Sequence, residues 1–154
     1  MKVRLIAVGT KMPDWVQKGF NEYAKRLPRN LSVELVELQP GYRAKNASTQ
    51  SAMDSESQAI IQTLGSDHCV ALDVGGKAWS TENLSEQLEQ WQLGGQNLSF
   101  VIGGPDGFTD EVRARAQQKW SLSPLTLPHP LVRVVFIEQF YRAHTLLAGH
   151  PYHK

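Results

Sequence analysis

The chain has a single cysteine, Cys69, so no disulfide can form within it, and a reducing compartment is expected. No apolar run approaches the ~20 residues of a membrane span. Nothing after Met1-Lys2-Val3-Arg4-Leu5 resembles the apolar region and cleavage site of a signal peptide. A cytoplasmic location without membrane attachment is the expectation. Familiar catalytic signatures are missing too. The glycines after residue 102 do not have the Gly-x-Gly-x-x-Gly spacing of a dinucleotide fold, and no Walker Lys-Ser/Thr follows them. There is no Gly-x-Ser-x-Gly elbow for a serine hydrolase. His150 and His153 offer two imidazoles, whereas a zinc site needs three or four ligands, so no metal is expected.

With 154 residues, 41% of them hydrophobic and 20% charged, the chain reads as one globular domain over residues 1–154. A chain of this size buries roughly 68–70% of its unfolded surface. The net charge is only +1, but it is unevenly spread: +5 over residues 1–45, −9 over 46–112 and +5 over 113–154. If the two ends meet in space, they form a basic surface that attracts phosphates; otherwise the charges are spread over solvated faces.

Strand and helix patterns alternate. Val3 to Val8 is a β-branched apolar run ended by Gly9. Pro13 suits a first helical turn, and Trp15, Gly19, Phe20, Tyr23 and Leu27 follow at helical spacing. Residues 32–38 alternate as a second strand, and 39–50 form a polar loop. A helix from about Ala52 to Leu64 follows, with Ile60, Ile61 and Leu64 facing a core. Cys69 to Val74 is a third strand, after which Gly75-Gly76-Lys77 turns the chain. Leu84, Leu88 and Trp91 mark one helix face, and Leu98 to Ile102 a fourth strand. Thr109 can cap a short helix whose first turn carries Asp110 and Glu111. Leu122 to Leu127 is a short strand or loop, and Leu131 to Ala148 a long apolar helix. The fold class is therefore α/β, a mainly parallel sheet covered by helices on both faces. In such sheets ligands collect at the carboxyl ends of strands, where the glycine turns at 75–76 and 103–107 are expected.

Four features carry candidate chemistry. Gly103-Gly104-Pro105-Asp106-Gly107 lets backbone approach a ligand, or simply makes a tight connection. His129, between Pro128 and Pro130 at a helix start, is disfavoured as a cation by the helix dipole. It can accept a proton, hold a base edge or merely cap. Glu138 and Arg142 sit four residues apart on a helix with little face left for solvent, so the pair lines a cleft or a subunit interface, or is an ordinary ion pair. Arg133, on the same helix, is free to reach RNA or solvent. The tail His150-Pro151-Tyr152-His153-Lys154 combines a ring, imidazoles and a cation, which suits base stacking and phosphate contact; a frayed end is the alternative. Chemistry alone does not single out one reaction.

Taken together, Val8-Gly9-Thr10-Lys11, Leu72-Asp73, Ile102 to Gly107, Leu125-Thr126-Leu127-Pro128-His129, Glu138 to Ala143 and His150-Pro151-Tyr152-His153 closely resemble the RlmH family of SPOUT-class methyltransferases. The resemblance runs from Lys2 to Lys154. It implies a C-terminal deep trefoil knot, an exception to unknotted topology. It implies S-adenosylmethionine as cofactor, held by Leu72, Gly103 and the segment Leu122, Ser123, Pro124, Leu125, Thr126 and Leu127. It implies a homodimer that methylates N3 of a pseudouridine in 23S ribosomal RNA of the large subunit or 70S ribosome. For catalysis the candidates are Arg142 as anion stabiliser, Glu138 orienting it, and His129, Tyr152 and His153 for the proton or the RNA. A related knotted methyltransferase acting on transfer RNA is the competing enzyme reading. A ribosome-binding factor that keeps the fold without chemistry is the non-enzyme one.

Overall fold

The computed structural model describes residues 1–45 and 48–153; Asn46 and Ala47 of the polar loop, and the tail's last cation Lys154, lie outside the described residues. Five parallel strands form one sheet: β1 (Val3–Val8), β2 (Val33–Leu38), β3 (His68–Ala78), β4 (Leu98–Ile102) and β5 (Gln118–Ser121), in the order β2-β1-β4-β3-β5. The inner strands β1 and β4 are covered on both faces, which is why they read as unbroken apolar runs. Helices α1 (Asp14–Ala24), α3 (Thr81–Gly94) and α5 (His129–Ala148) cover one face through Phe20, Leu84, Leu88, Phe136 and Phe140. Helices α2 (Gln50–Leu64) and α4 (Asp110–Arg115) cover the other through Ile60, Leu64 and Val112.

Phe100 on β4 centres the first face, its ring 4.7 Å from Phe136 and 5.4 Å from Trp91. Such tilted aromatic contacts add to the area buried. Cys69 is fully buried in the second face, and burial pushes its thiol up to about 11, so it behaves as a small core hydrophobe. Thr109 caps α4 as its position suggests, accepting from the Val112 amide at 3.4 Å. Among the described residues no helix is long and apolar enough to cross a membrane.

Of the two alternatives for 122–127, strand or loop, the loop holds: residues 122–128 carry no regular structure, and the fifth strand, which the sequence pattern does not mark, is Gln118–Ser121. This is an edge strand with one large apolar side chain, Trp120, so its apolar signal is weak. Gly75-Gly76-Lys77 does not end the third strand. Leu72 and Lys77 both pair with Trp120, so residues 73–76 bulge out and β3 resumes to Ala78. Gly76 is needed there because a Cβ would lie 2.6 Å from the Lys119 carbonyl carbon and 2.7 Å from the Trp120 amide nitrogen. Gly76→Ala should cost about 1–3 kcal/mol of stability through overpacking against backbone. Denaturant unfolding checks this; an unchanged midpoint would contradict the close approach.

Candidate functional site

The carboxyl ends of β1, β3 and β4 open onto a cavity of about 620 Å³, within the size range of small-molecule sites. Gly9 follows β1, Asp73 begins the bulge in β3, and Gly103 follows β4; all three line it, together with Leu72, Leu127 and His129. A narrower branch shares Leu72, Asp73, Val74, Leu127 and Val132, and extends to Leu122, Ser123 and Leu125. Of the residues expected to hold a cofactor, Leu72, Gly103, Leu122, Ser123, Leu125 and Leu127 therefore share one connected cleft. Pro124 and Thr126 belong to the same loop but do not line it. The loop is fixed locally: the Ser121 hydroxyl donates to the Ser123 carbonyl at 3.0 Å, and the Leu125 amide donates to Ser123 Oγ at 2.9 Å.

The glycine turn forms one wall. Gly107 has φ +81°, and its amide donates to the Gly104 carbonyl at 3.0 Å. A Cβ on Gly104 would fall 2.6 Å from Glu56 Oε1. Glu56 on α2 is almost wholly buried and accepts from the Gly41 amide (2.9 Å) and from Arg43 (2.7 Å). Arg43 also pairs with Asp106 at 2.9 Å. This network ties the loop carrying Pro40, another lining residue, to the glycine turn. Sequence reading misses Glu56 and Arg43, because nothing in the pattern distinguishes a mid-helix Glu and a loop Arg from solvated charges.

Arg133 is the other correction. Far from reaching RNA or solvent, it is 1% exposed. It donates to Glu37 at 2.6 Å, to the Gly9 carbonyl at 3.0 Å and to His129 Nε2 at 2.9 Å. His129 is consequently a neutral acceptor at the cleft wall. Burial, and then the Arg133 charge, push its pKa down to about 4, while Gly103 and Glu37 oppose the shift.

Glu138 and Arg142 lie elsewhere. Thirteen residues separate His129 from Arg142 on one helix, which at ~1.5 Å per residue places them about 20 Å apart. Arg142 Nη2 meets Glu138 at 2.6 Å, and its guanidinium lies 5.0 Å from the centre of the Tyr152 ring. The tail is not frayed through His153: residues Pro151–His153 make a helical turn that packs Tyr152 on Tyr141, ring centres 4.7 Å apart. Arg26, just beyond α1, lies 5.1 Å from the centre of the Tyr23 ring and 5.8 Å from that of Tyr152. Among the described residues, His153 Nδ1 is buried and has no hydrogen-bond partner. The two basic ends of the chain do meet, since α1 packs against α5. Among the described residues no group of three or more His, Cys, Asp or Glu could hold a metal.

A family model described as "Predicted SPOUT methyltransferase" matches residues 1–153. The chain belongs to the SPOUT methyltransferase family. Two relatives within this family, both named ribosomal RNA large subunit methyltransferase H, align over the whole chain. One, from Hahella chejuensis (strain KCTC 2396), is 56% identical with 99% of its own length covered. The other, from Saccharophagus degradans (strain 2-40), is 57% identical with 100% covered. The RlmH resemblance thus holds along the full SPOUT chain. Distant solved structures share the fold. A probable methylase family protein from Haemophilus influenzae Rd KW20 has a TM-score of 0.60 at 10% identity, covering 99% of this chain and 70% of that one. The tRNA (m1G37) methyltransferase of Aquifex aeolicus has a TM-score of 0.54 at 12% identity, covering 92% and 70%.

In this SPOUT chain His129 should stay neutral across pH 5–8. Its pKa is depressed on folding, so its contribution to stability is complete above the unfolded value near 6.5 and lost as pH falls from there towards about 4. Imidazole NMR titration reads this directly, and Arg133→Met should raise the His129 midpoint. A midpoint near 6.5 in the unmodified protein would contradict the Arg133 geometry.

Proposed function

We propose that this chain, a single domain over residues 1–154, uses S-adenosylmethionine to methylate N3 of a pseudouridine in 23S ribosomal RNA, acting in the cytoplasm as a homodimer on the assembled large subunit or 70S ribosome. Full-length identity of 56–57% to two ribosomal RNA large subunit methyltransferases carries the reading. The cleft supports it independently. Leu72, Leu122, Leu125, Leu127 and Val132 provide apolar walls suited to a purine ring, and the loop backbone around Gly103 can approach a ligand closely. The residues present fit the cofactor, which when bound supplies an electrophilic methyl group on a sulfonium centre. The trefoil threading expected of the family belongs to this reading. It is favoured by the course of residues 122–128, which run from the edge strand β5 across the strand ends to His129 beside Gly9.

The chain's own residues then have three tasks. The cleft walls exclude water and aim the methyl group, and alignment of this kind supplies much of the rate. Arg142, held by Glu138, stabilises the imide anion as N3 loses its proton. Tyr152 stacks on Arg142 and offers a ring to the base. His129 is neutral and its Nε2 is engaged by Arg133, so it shapes the wall, and His153 is left as the candidate for the N3 proton or the RNA. Arg142 and the tail are about 20 Å along α5 from the cleft of their own subunit, so the cleft they complete is the partner's. A chain of 154 residues has little surface for reading sequence, so a folded, assembled ribosomal target suits it better than naked RNA.

Mass mapping of ribosomal RNA from cells lacking this protein tests the reading. One pseudouridine of the large-subunit RNA should lose a single methyl group, restored by the wild-type chain. Unchanged ribosomal RNA with a lost methyl on transfer RNA would overturn it in favour of the related knotted enzymes.

A further inference from the structure

Among the described residues, the cavity at the strand ends is lined by only two charged side chains, Asp73 and Arg113, one of each sign. His129 on the same wall is neutral. Arg113 Nε donates to Asp73 Oδ2 at 3.0 Å, and Arg113 Nη1 donates to the Phe108 carbonyl at 3.0 Å and lies 3.5 Å from Asp110. Arg113 Nη2 engages no partner among the described residues, which leaves two N–H groups for a ligand. Asp73 accepts from the Gly75 amide at 3.2 Å and from Arg113, leaving each carboxylate oxygen a further acceptor site. The bulge in β3 begins at Asp73 and carries it to the cavity, while α4 presents Arg113 from the opposite face of the sheet.

A prepaired anion and cation at one side of an otherwise neutral, largely apolar cavity match a ligand that carries a cation and an anion a few bonds apart. An α-amino acid end does so: its ammonium donates to a carboxylate and its carboxylate accepts from a guanidinium, with charge-assisted hydrogen bonds in both directions. We propose that Asp73 and Arg113 form the subsite for the amino-acid end of the cofactor, Asp73 taking the ammonium and Arg113 Nη2 the carboxylate. This rests on the cofactor reading above and specifies how the ligand is oriented. The apolar branch would take the ring, and the Asp73–Arg113 pair, with Asp73 where that branch joins the main cavity, would take the amino-acid end.

Because the pair recognises the amino-acid end and not the sulfonium, it should hold S-adenosylmethionine and S-adenosylhomocysteine alike and ignore 5′-methylthioadenosine, which lacks that end. Calorimetry of the full chain with the three compounds tests this in wild type, Arg113→Met and Asp73→Asn. Arg113 is 39% exposed, so Arg113→Met should fold, and Asp73→Asn keeps an acceptor for the Gly75 amide. Each variant should bind the first two compounds about tenfold or more weakly, the loss expected for one charge-assisted hydrogen bond, with 5′-methylthioadenosine unchanged. Equal weakening of all three would mean the pair only shapes the cavity, and no weakening would mean it is idle; either overturns the proposal. Wild type binding 5′-methylthioadenosine as tightly as S-adenosylmethionine would overturn it as well. Wild type binding none of the three would instead remove the cofactor reading, and this subsite with it.

Discussion

Arg133 is a cation almost wholly withdrawn from water, and the shape of the cleft depends on how its charge is met. A buried guanidinium is costly unless paired and hydrogen-bonded. Here the partners come from three separate places: Glu37 on β2, the Gly9 carbonyl after β1, and His129 in the first turn of α5. Satisfying one side chain therefore brings the edge of the sheet, the end of β1 and the start of the last helix to a common point. Residues 122–128 must then cross the ends of β3 and β4 to reach it, and that crossing makes the cleft wall. Glu37 is itself 37% exposed, so water screens that ion pair, and the buried guanidinium depends as much on the Gly9 carbonyl and His129 as on the carboxylate.

With its start pinned in this way, α5 is committed to two roles at two ends. Its first turn borders the cavity, and its second half carries Arg142, paired with mid-helix Glu138, and the ring contact of Tyr141 with Tyr152. A straight helix cannot bring both ends to one substrate. The proposed homodimer resolves this, because a second subunit can supply the cationic and aromatic end to the first subunit's methyl donor. Arg26 and Tyr23 from the first helix region brace the same end, so the end of α1 and the tail form one surface.

Much of this was legible in the residues. Apolar runs such as Val3 to Val8 and Leu98 to Ile102 gave the inner strands, because strands buried on both faces leave a continuous signal. The glycine turn after Ile102 lines one cleft with Leu122, Ser123, Leu125 and Leu127 of the segment singled out by resemblance, but not with its Pro124 and Thr126. What was illegible depended on tertiary partners. β5 is a polar edge strand, and Gly76 lies in a bulge whose need for glycine comes from the backbone of Lys119 and Trp120. Arg133 and Glu56 look like solvent-facing charges in a sequence, and only the fold reveals partners such as Glu37 and Gly9, 96 and 124 residues from Arg133, and Arg43 and Gly41, 13 and 15 residues from Glu56. Arg142 could be picked out as special, but its distance from the cleft of its own subunit could not.

The claim that each productive site is built from two subunits is tested most directly by complementation. A chain lacking residues 150–154 keeps its cleft but loses the tail. Gly103→Val keeps the tail but crowds the cleft. Each alone should be inactive on ribosomes. Co-expressed in equal amounts, they should recover about a quarter of wild-type activity, since half of the dimers would carry one complete site. No recovery from demonstrated heterodimers would contradict the account and place the tail's action within its own subunit.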